Sequence, residues 1–271
     1  MSPPPFLADP PRLRSFGAIN WIGLWTLYVK EVRRFFKVFM QTVAAPVVTT
    51  LLFLAIFLLA LGGSGRQVAG VPYVEFLVPG LIMMAIIQNA FANTSSSLVI
   101  GKMQGNIVDV LMPPLSPVEL TLGLALGGAT RGVLVGLAVG LVLTPLTGIH
   151  LASIVAILFY GVAGSLLMSL LGILAGLWAE KFDHIATVTN FVVMPLTFLS
   201  GTFYSVDQLP DAWRLVAHAN PFFYMIDGFR YGFTGTPESS LLVGFALIAG
   251  LDLLLLAWCH RLFVIGYKLK A

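Results

Sequence analysis

Charge is scarce in this sequence. Only 10% of its 271 residues are Asp, Glu, Lys or Arg, while 58% are hydrophobic and the mean hydropathy is +0.94. A water-soluble domain of this length needs a far more polar surface, so that class is excluded. Cysteine is scarcer still: Cys259 stands alone inside an apolar run, which excludes a disulfide framework and a cysteine-based metal site. The four histidines, His150, His184, His218 and His260, make no H-E-x-x-H or comparable metal spacing. No G-x-x-x-x-G-K-[ST] pattern occurs. The nearest glycine-rich stretches, Gly62-Gly63-Ser64-Gly65 and Gly127-Gly128, lack the lysine of a phosphate cradle. No serine stands in G-x-S-x-G. The chain is therefore expected to be no enzyme and to bind no metal or cofactor of its own. Residues Met1 to Pro11 lack a cationic segment followed by an apolar core, so they do not read as a cleavable signal peptide. Residues 1–14 are proline-rich and expected to be disordered.

What the sequence does have is length without charge, several times over. Spanning the hydrocarbon core takes roughly 20 apolar residues at about 1.5 Å rise each. Six stretches qualify, at about 39–61, 73–98, 120–144, 151–178, 186–204 and 240–264. The expected class is an all-α integral membrane protein in the lipid bilayer. An even number of spans puts both termini on one side. Arg12, Arg14, Lys30, Arg33, Arg34, Lys37, Lys102, Lys181, Arg261, Lys268 and Lys270 then share a face, 11 of the 15 Lys and Arg. Arg66, Arg214 and Arg230 fall on the other face and Arg131 within a span. The positive-inside bias assigns both termini to the cytoplasm. Basic residues gathered at span ends are headgroup neighbours, so the pI of 9.1 does not point to nucleic acid.

Two segments depart from the plain spanning pattern. In residues 15–37, Trp21, Leu24, Trp25, Tyr28, Val32 and Phe35 recur at helical spacing while Lys30, Glu31, Arg33 and Arg34 fall on other faces. This predicts an amphipathic interfacial helix, either a plain anchor or a helix with a further role. Residues 205–235, preceded by Tyr204, hold two short pieces split at Asn220-Pro221, with Tyr224, Arg230 and Tyr231 in the second. About 12 residues cover only about 18 Å of helix, too little to cross. A re-entrant hairpin or a capped loop resting on the headgroups are the two readings.

Polar residues inside the spans are few. Arg131 and Asp252 lie near the middle of the third and sixth spans; they are expected to approach each other, to face a polar cleft, or to be satisfied separately. Gln88, Asn89, Asn93 and Thr94 in the second span either line a route for cargo or hydrogen-bond between helices. Gly128, Gly132, Gly136 and Gly140 in the third span, and Gly161, Ser165 and Ser169 then Gly172 and Gly176 in the fourth, step at near-helical spacing, which suits close helix packing within or between subunits. No internal repeat is evident, which argues against an inverted-repeat carrier.

Several motifs together resemble one family. They are KEVRRFFKVFMQT followed by Pro46, FLVPGLIMM with NAFANTSSS, GKMQGNIVDVLMPPLSP, ATRGVLVG, KFDHIA, PLTFLSGTFYS and NPFFYMIDGFRYGFTG. The chain resembles the ABC-2 type permeases, membrane subunits of ABC exporters, and within them the bacterial inner-membrane YadH-like subgroup. The resemblance implies a six-span half-transporter that dimerises, a homodimer being the simplest arrangement, and is driven by a separate ABC ATPase subunit, which uses the ATP and Mg. It implies that the N-terminal helix (Glu31, Arg33, Arg34, Phe35) and the loop 101–117 (Asn106, Ile107, Asp109, Leu111) couple to that ATPase. It also implies export of an amphiphilic, drug-like, lipid or polysaccharide cargo. A stand-alone secondary carrier or a lipid-modifying enzyme is the rival reading.

Overall fold

The computed structural model describes residues 19–61 and 67–269; the proline-rich residues 1–14 and the glycines at 62–65 lie outside the described residues. Six helices are long and apolar enough to cross a membrane: Met40–Ala60, Tyr73–Met103, Pro117–Thr147, Ile154–Trp178, Phe182–Leu199 and Leu241–Val264. A shorter helix, α1 (Trp21–Phe36), precedes them. The first span is a π-helical turn, Met40–Ala44, running into α2 (Ala45–Leu61). A two-residue hairpin (Gln67–Val68 with Val71–Pro72) turns through Ala69 and Gly70, both at positive φ, into α3 (Tyr73–Met103). After α3 come α4 (Ile107–Leu111), α5 (Pro117–Thr147) and α6 (Ile154–Trp178). The fifth span is composite: α7 (Phe182–Val188), a π-helical turn Thr189–Val193, and α8 (Met194–Leu199). Short helices α9 (Asp211–Ala219) and α10 (Pro221–Thr234) lead to the last span, α11 (Leu241–Val264).

The middle of the bundle is α3. Its most apolar window is 83% buried, against 17% for the first, fifth and sixth spans, so those three form the outer wall and α3, α5 and α6 the core. Small residues make that core possible. A Cβ at Gly172 would stand 2.6 Å from the Phe91 carbonyl oxygen, and one at Gly132 would stand 3.0 Å from the Ile86 carbonyl. At that approach hydroxyls reach the neighbouring backbone: Thr94 Oγ1 donates to Ser169 O at 2.7 Å, Ser165 Oγ to Ala129 O at 2.9 Å and Ser169 Oγ to Ala125 O at 2.7 Å. The glycine and serine ladders are packing devices, as helices in lipid require.

The helix ends correct the expected boundaries. α3 and α5 run on to Met103 and back to Pro117, because a helix does not stop where apolar sequence does. Ser116 begins α5 with a reciprocal capping box to Glu119, and Pro117 at the first turn needs no N–H partner. The fifth span ends at Leu199 rather than 204. Gly201 takes a left-handed φ of 73° and ends the helix before Phe203 and Tyr204.

Candidate functional site

Three polar constructions stand out against this apolar bundle. The first lies where α1 crosses α3 and α5. Leu27, Glu31 and Phe35 form its buried face; Gly123 and Gly127 of α5 leave room for Leu27 and Glu31, since a Cβ there would come 2.7 and 2.6 Å from them. Glu31 is fully buried. Its carboxylate accepts from Ser97 Oγ at 2.8 Å and pairs with Arg34 at 3.2 Å. Arg34 also donates to the Asn93 carbonyl at 2.6 Å, Asn93 Oδ1 at 3.0 Å and Ser96 Oγ at 3.3 Å. One turn along α3, Arg131 Nη2 donates to Asn89 Oδ1 at 3.1 Å. Beside Asn89 a cavity of about 240 Å³ opens between α2 and α3, lined by Gln41, Thr49, Phe53, Met84 and Gln88 among others.

The second construction ties the start of α1 to the loop after α4 and to the first turn of α5. Glu119 is buried; its Oε1 accepts from the Asn20 N–H at 2.5 Å and its Oε2 from the Ser116 N–H at 2.7 Å. Asn20 in turn caps α1 through Gly23 N and donates from Nδ2 to the Pro114 carbonyl at 3.2 Å. Ile107 is buried against Gly101, whereas Asn106, Val108 and Asp109 are exposed and Leu111 is half-buried. Between α1 and α4 runs a groove of about 330 Å³, with Lys30, Asp109, Val110 and Pro113 on its walls.

The third holds α10 to α3. Arg230 is buried, with Nε donating to the Phe76 carbonyl at 3.1 Å, Nη2 to the Gly201 carbonyl at 2.6 Å, and its guanidinium 3.6 Å above the Phe76 ring. Gly80 permits this: a Cβ there would stand 2.6 Å from the Thr202 carbonyl oxygen. Asn220 caps α10 through Phe222 N and donates to Leu196 O at 2.8 Å and Ser200 Oγ at 2.7 Å, fastening the bend before Pro221 to the end of α8. Asp227 accepts from the Glu238 and Ser239 N–H groups, both at 2.9 Å. Burial pushes the Glu238 carboxyl above its ordinary range, against the pull of Arg230. Tyr204, Tyr224 and Tyr231 are half-buried, the first with its phenol pushed up by burial. On α9, Trp213, Leu215 and Val216 are exposed.

These placements sort the residues expected from sequence. Glu31, Arg34, Phe35 and Ile107 are internal braces; Arg33, Asn106 and Asp109 are free to meet another molecule. Thr94 is absorbed by helix packing. Arg131 and Asp252 do not pair: among the described residues the ion pairs are Arg34–Glu31, Arg214–Asp211 and Lys268–Glu180. Arg131 turns instead to α3, and Asp252 is buried on α11 with Oδ1 lacking a partner among the described residues. Sequence reasoning missed Glu119, Ser96, Ser97, Asp227 and Glu238. Ser116-Pro117-Val118-Glu119 carries a legible capping-box signature; the other four have no local signal.

Known proteins resemble this chain in sequence. Residues 23–234 match the family model described as ABC-2 type transporter. The Escherichia coli K12 protein named inner membrane transport permease YadH is 37% identical over 230 residues, which is 85% of this chain and 90% of that protein. Nodulation protein J of Rhizobium leguminosarum bv. viciae is 28% identical over 232 residues, 83% of this chain and 86% of its own length. With the family model matched over most of its length and the six apolar helices in place, the chain belongs to the ABC-2 type transporter family, as a membrane transport permease.

Proposed function

We propose that this chain is the permease half of an ATP-driven exporter in a bacterial inner membrane. Two copies form the conduit, both termini face the cytoplasm, and a separate ABC ATPase subunit binds and hydrolyses ATP with Mg²⁺. The observation that carries this reading is the brace by which Glu119 and Asn20 join the start of α1 to the α4–α5 loop and the first turn of α5. A displacement applied to an exposed element reaches the spans only if that element is braced against them. Lys30, Arg33, Asn106 and Asp109 offer the ATPase a polar contact beside the α1–α4 groove, while Ile107, Phe35 and Glu31 transmit the push.

On the opposite side α9 and α10 form a hairpin too short to cross. In this reading it re-enters the outer leaflet, with Trp213, Leu215 and Val216 towards lipid. α1 likewise rests at the inner interface with Trp21 and Trp25, both exposed, at headgroup depth. The cargo is amphiphilic, and its route runs past Gln88, Asn89, Asn93 and Arg131, with Asp252 a further candidate. The test is reconstitution of the permease with its co-purifying ATPase in proteoliposomes. ATP-dependent movement of an amphiphile supports the reading. Movement driven by an ion gradient without ATP, or product formed by the isolated chain, overturns it.

A further inference from the structure

The end of α6 is held by ammonium groups from two other parts of the chain. The helix closes at Trp178, where the Ala179 N–H meets the Ala175 carbonyl at 2.8 Å. The carbonyls beyond have no donor left within the helix. Lys102, in the last turn of α3, donates from Nζ to the Leu177 carbonyl at 2.8 Å and the Ala179 carbonyl at 2.5 Å. Lys268, beyond α11, takes the Trp178 carbonyl between them at 3.2 Å and pairs with Glu180 at 3.0 Å. Three successive carbonyls are thus met by two lysines that lie 75 to 90 residues away in sequence.

The two lysines are unlike. Lys268 and Glu180 are both exposed, and an ion pair in water contributes little. Lys268 also sits at a φ of 50°, a left-handed conformation that strains a residue with a side chain. Lys102 is half-buried and its two acceptors belong to fully buried residues. A lysine at the end of a span ordinarily sends its ammonium out to water; this one is turned onto α6. It also stands at the root of the segment that carries α4. Ile107, the first residue of α4, rests on Gly101, where an added Cβ would lie 3.8 Å from it, and Gly105 at a φ of 72° turns the chain between them. The seat of α4 on α3 and the grip of α3 on α6 are therefore adjacent residues.

We infer that Lys102 is a positioning residue for transport, passing a displacement of α4 from the end of α3 to the end of α6 and so to the turn into the fifth span. That turn is itself closed, by the Glu180 N–H on His184 Nδ1 at 3.3 Å. α4 is the driven element only under the function proposed above, so this role rests on that reading. A lysine that merely capped α6 would steady its end alone. A positioning lysine makes that end answer to α4, and such coupling shows only when both sites are changed together.

The full-length chain in nanodiscs, with no nucleotide or ATPase present, is followed by hydrogen exchange at the Ala179 amide. With Lys102 in place, I107D should speed exchange there at least about twofold, the lower end of coupling between residues in one network. K102M should speed it by itself, and I107D should then add nothing. K268Q should leave the I107D response intact. K102Q, whose shorter amide does not span both carbonyls, should lose most of the response and serves if K102M does not fold. Exchange at Ala179 indifferent to I107D, an I107D response of equal size with and without the Lys102 ammonium, or its loss in K268Q would overturn the inference. Export is not read in this experiment, so failure here and failure of ATP-driven transport remain separate results.

Discussion

The carboxylate of Glu119 receives the backbone N–H of Asn20 at 2.5 Å across 99 residues of sequence. Its other oxygen holds the N–H of Ser116, so one side chain closes two helix starts. Glutamine cannot replace it, because its amide would face a donor with a donor. E119Q is expected to destabilise by about 1–3 kcal/mol and to loosen the start of α1. Thermal unfolding in detergent and proteolysis near residue 20 would register both; an unchanged cleavage pattern would refute the brace.

At Gly172 the neighbouring backbone leaves no room for a side chain. G172L should cost about 3 kcal/mol or more through overpacking, whereas Gly250, where an added Cβ would meet nothing within 4 Å, should accept alanine with no loss. Comparing the melting temperatures of G172L and G250A tests the claim that the ladders act by distance rather than by composition.

Removing Arg230 takes a charged donor from the Phe76 and Gly201 carbonyls and empties the space over the Phe76 ring. R230A is expected to lose roughly 3 kcal/mol or more, since hydrogen bonds from a charged donor contribute about 1.5–3 kcal/mol each. R230K should fall between, keeping charge without the fork. Trp213 fluorescence quenching would report whether α9 and α10 come loose.

Burial raises the Glu238 carboxyl above its ordinary range. A raised carboxyl adds stability below the unfolded value, and this is lost as pH rises through the folded one. E238Q should therefore melt higher than wild type at neutral pH, with the gap closing as pH falls through the carboxylate range. A gap that widens on acidification would contradict this sign. Glutamine keeps an oxygen for the Val206 N–H, which Glu238 Oε2 meets at 3.3 Å.

Ile107 is the first residue of α4, where proline is tolerated, so aspartate is the sharper probe of coupling. I107D should leave membrane insertion intact and abolish cargo-stimulated ATPase activity in the reconstituted complex. Retained stimulation would remove α4 from the power path.

Much of this fold is legible in the sequence because the bilayer imposes one length on every span. The six apolar stretches, the small-residue ladders and the bend at Asn220-Pro221 all follow from that constraint and from local backbone chemistry. Arg131 and Asp252 were harder. Similar depth along two helices says nothing of the faces they occupy, and Arg131 found Asn89 instead. Glu31 and Arg34 read as exposed charge on α1; only the polar stretch of α3, some 60 residues on, makes their burial possible. Long-range pairing of this kind leaves no periodic trace.

Among the described residues, the polar partners that hold α1 to the bundle are made after it. Arg34 waits for Asn93, 59 residues downstream, Glu119 reaches Asn20 across 99, and Tyr28 meets Thr130 across 102. The polar contacts of Glu31 and Arg34 are therefore available once α3 has been made, whereas those of Asn20 and Tyr28 wait for α5. Assembly of α1 onto the bundle has two stages written into the spacing of its partners.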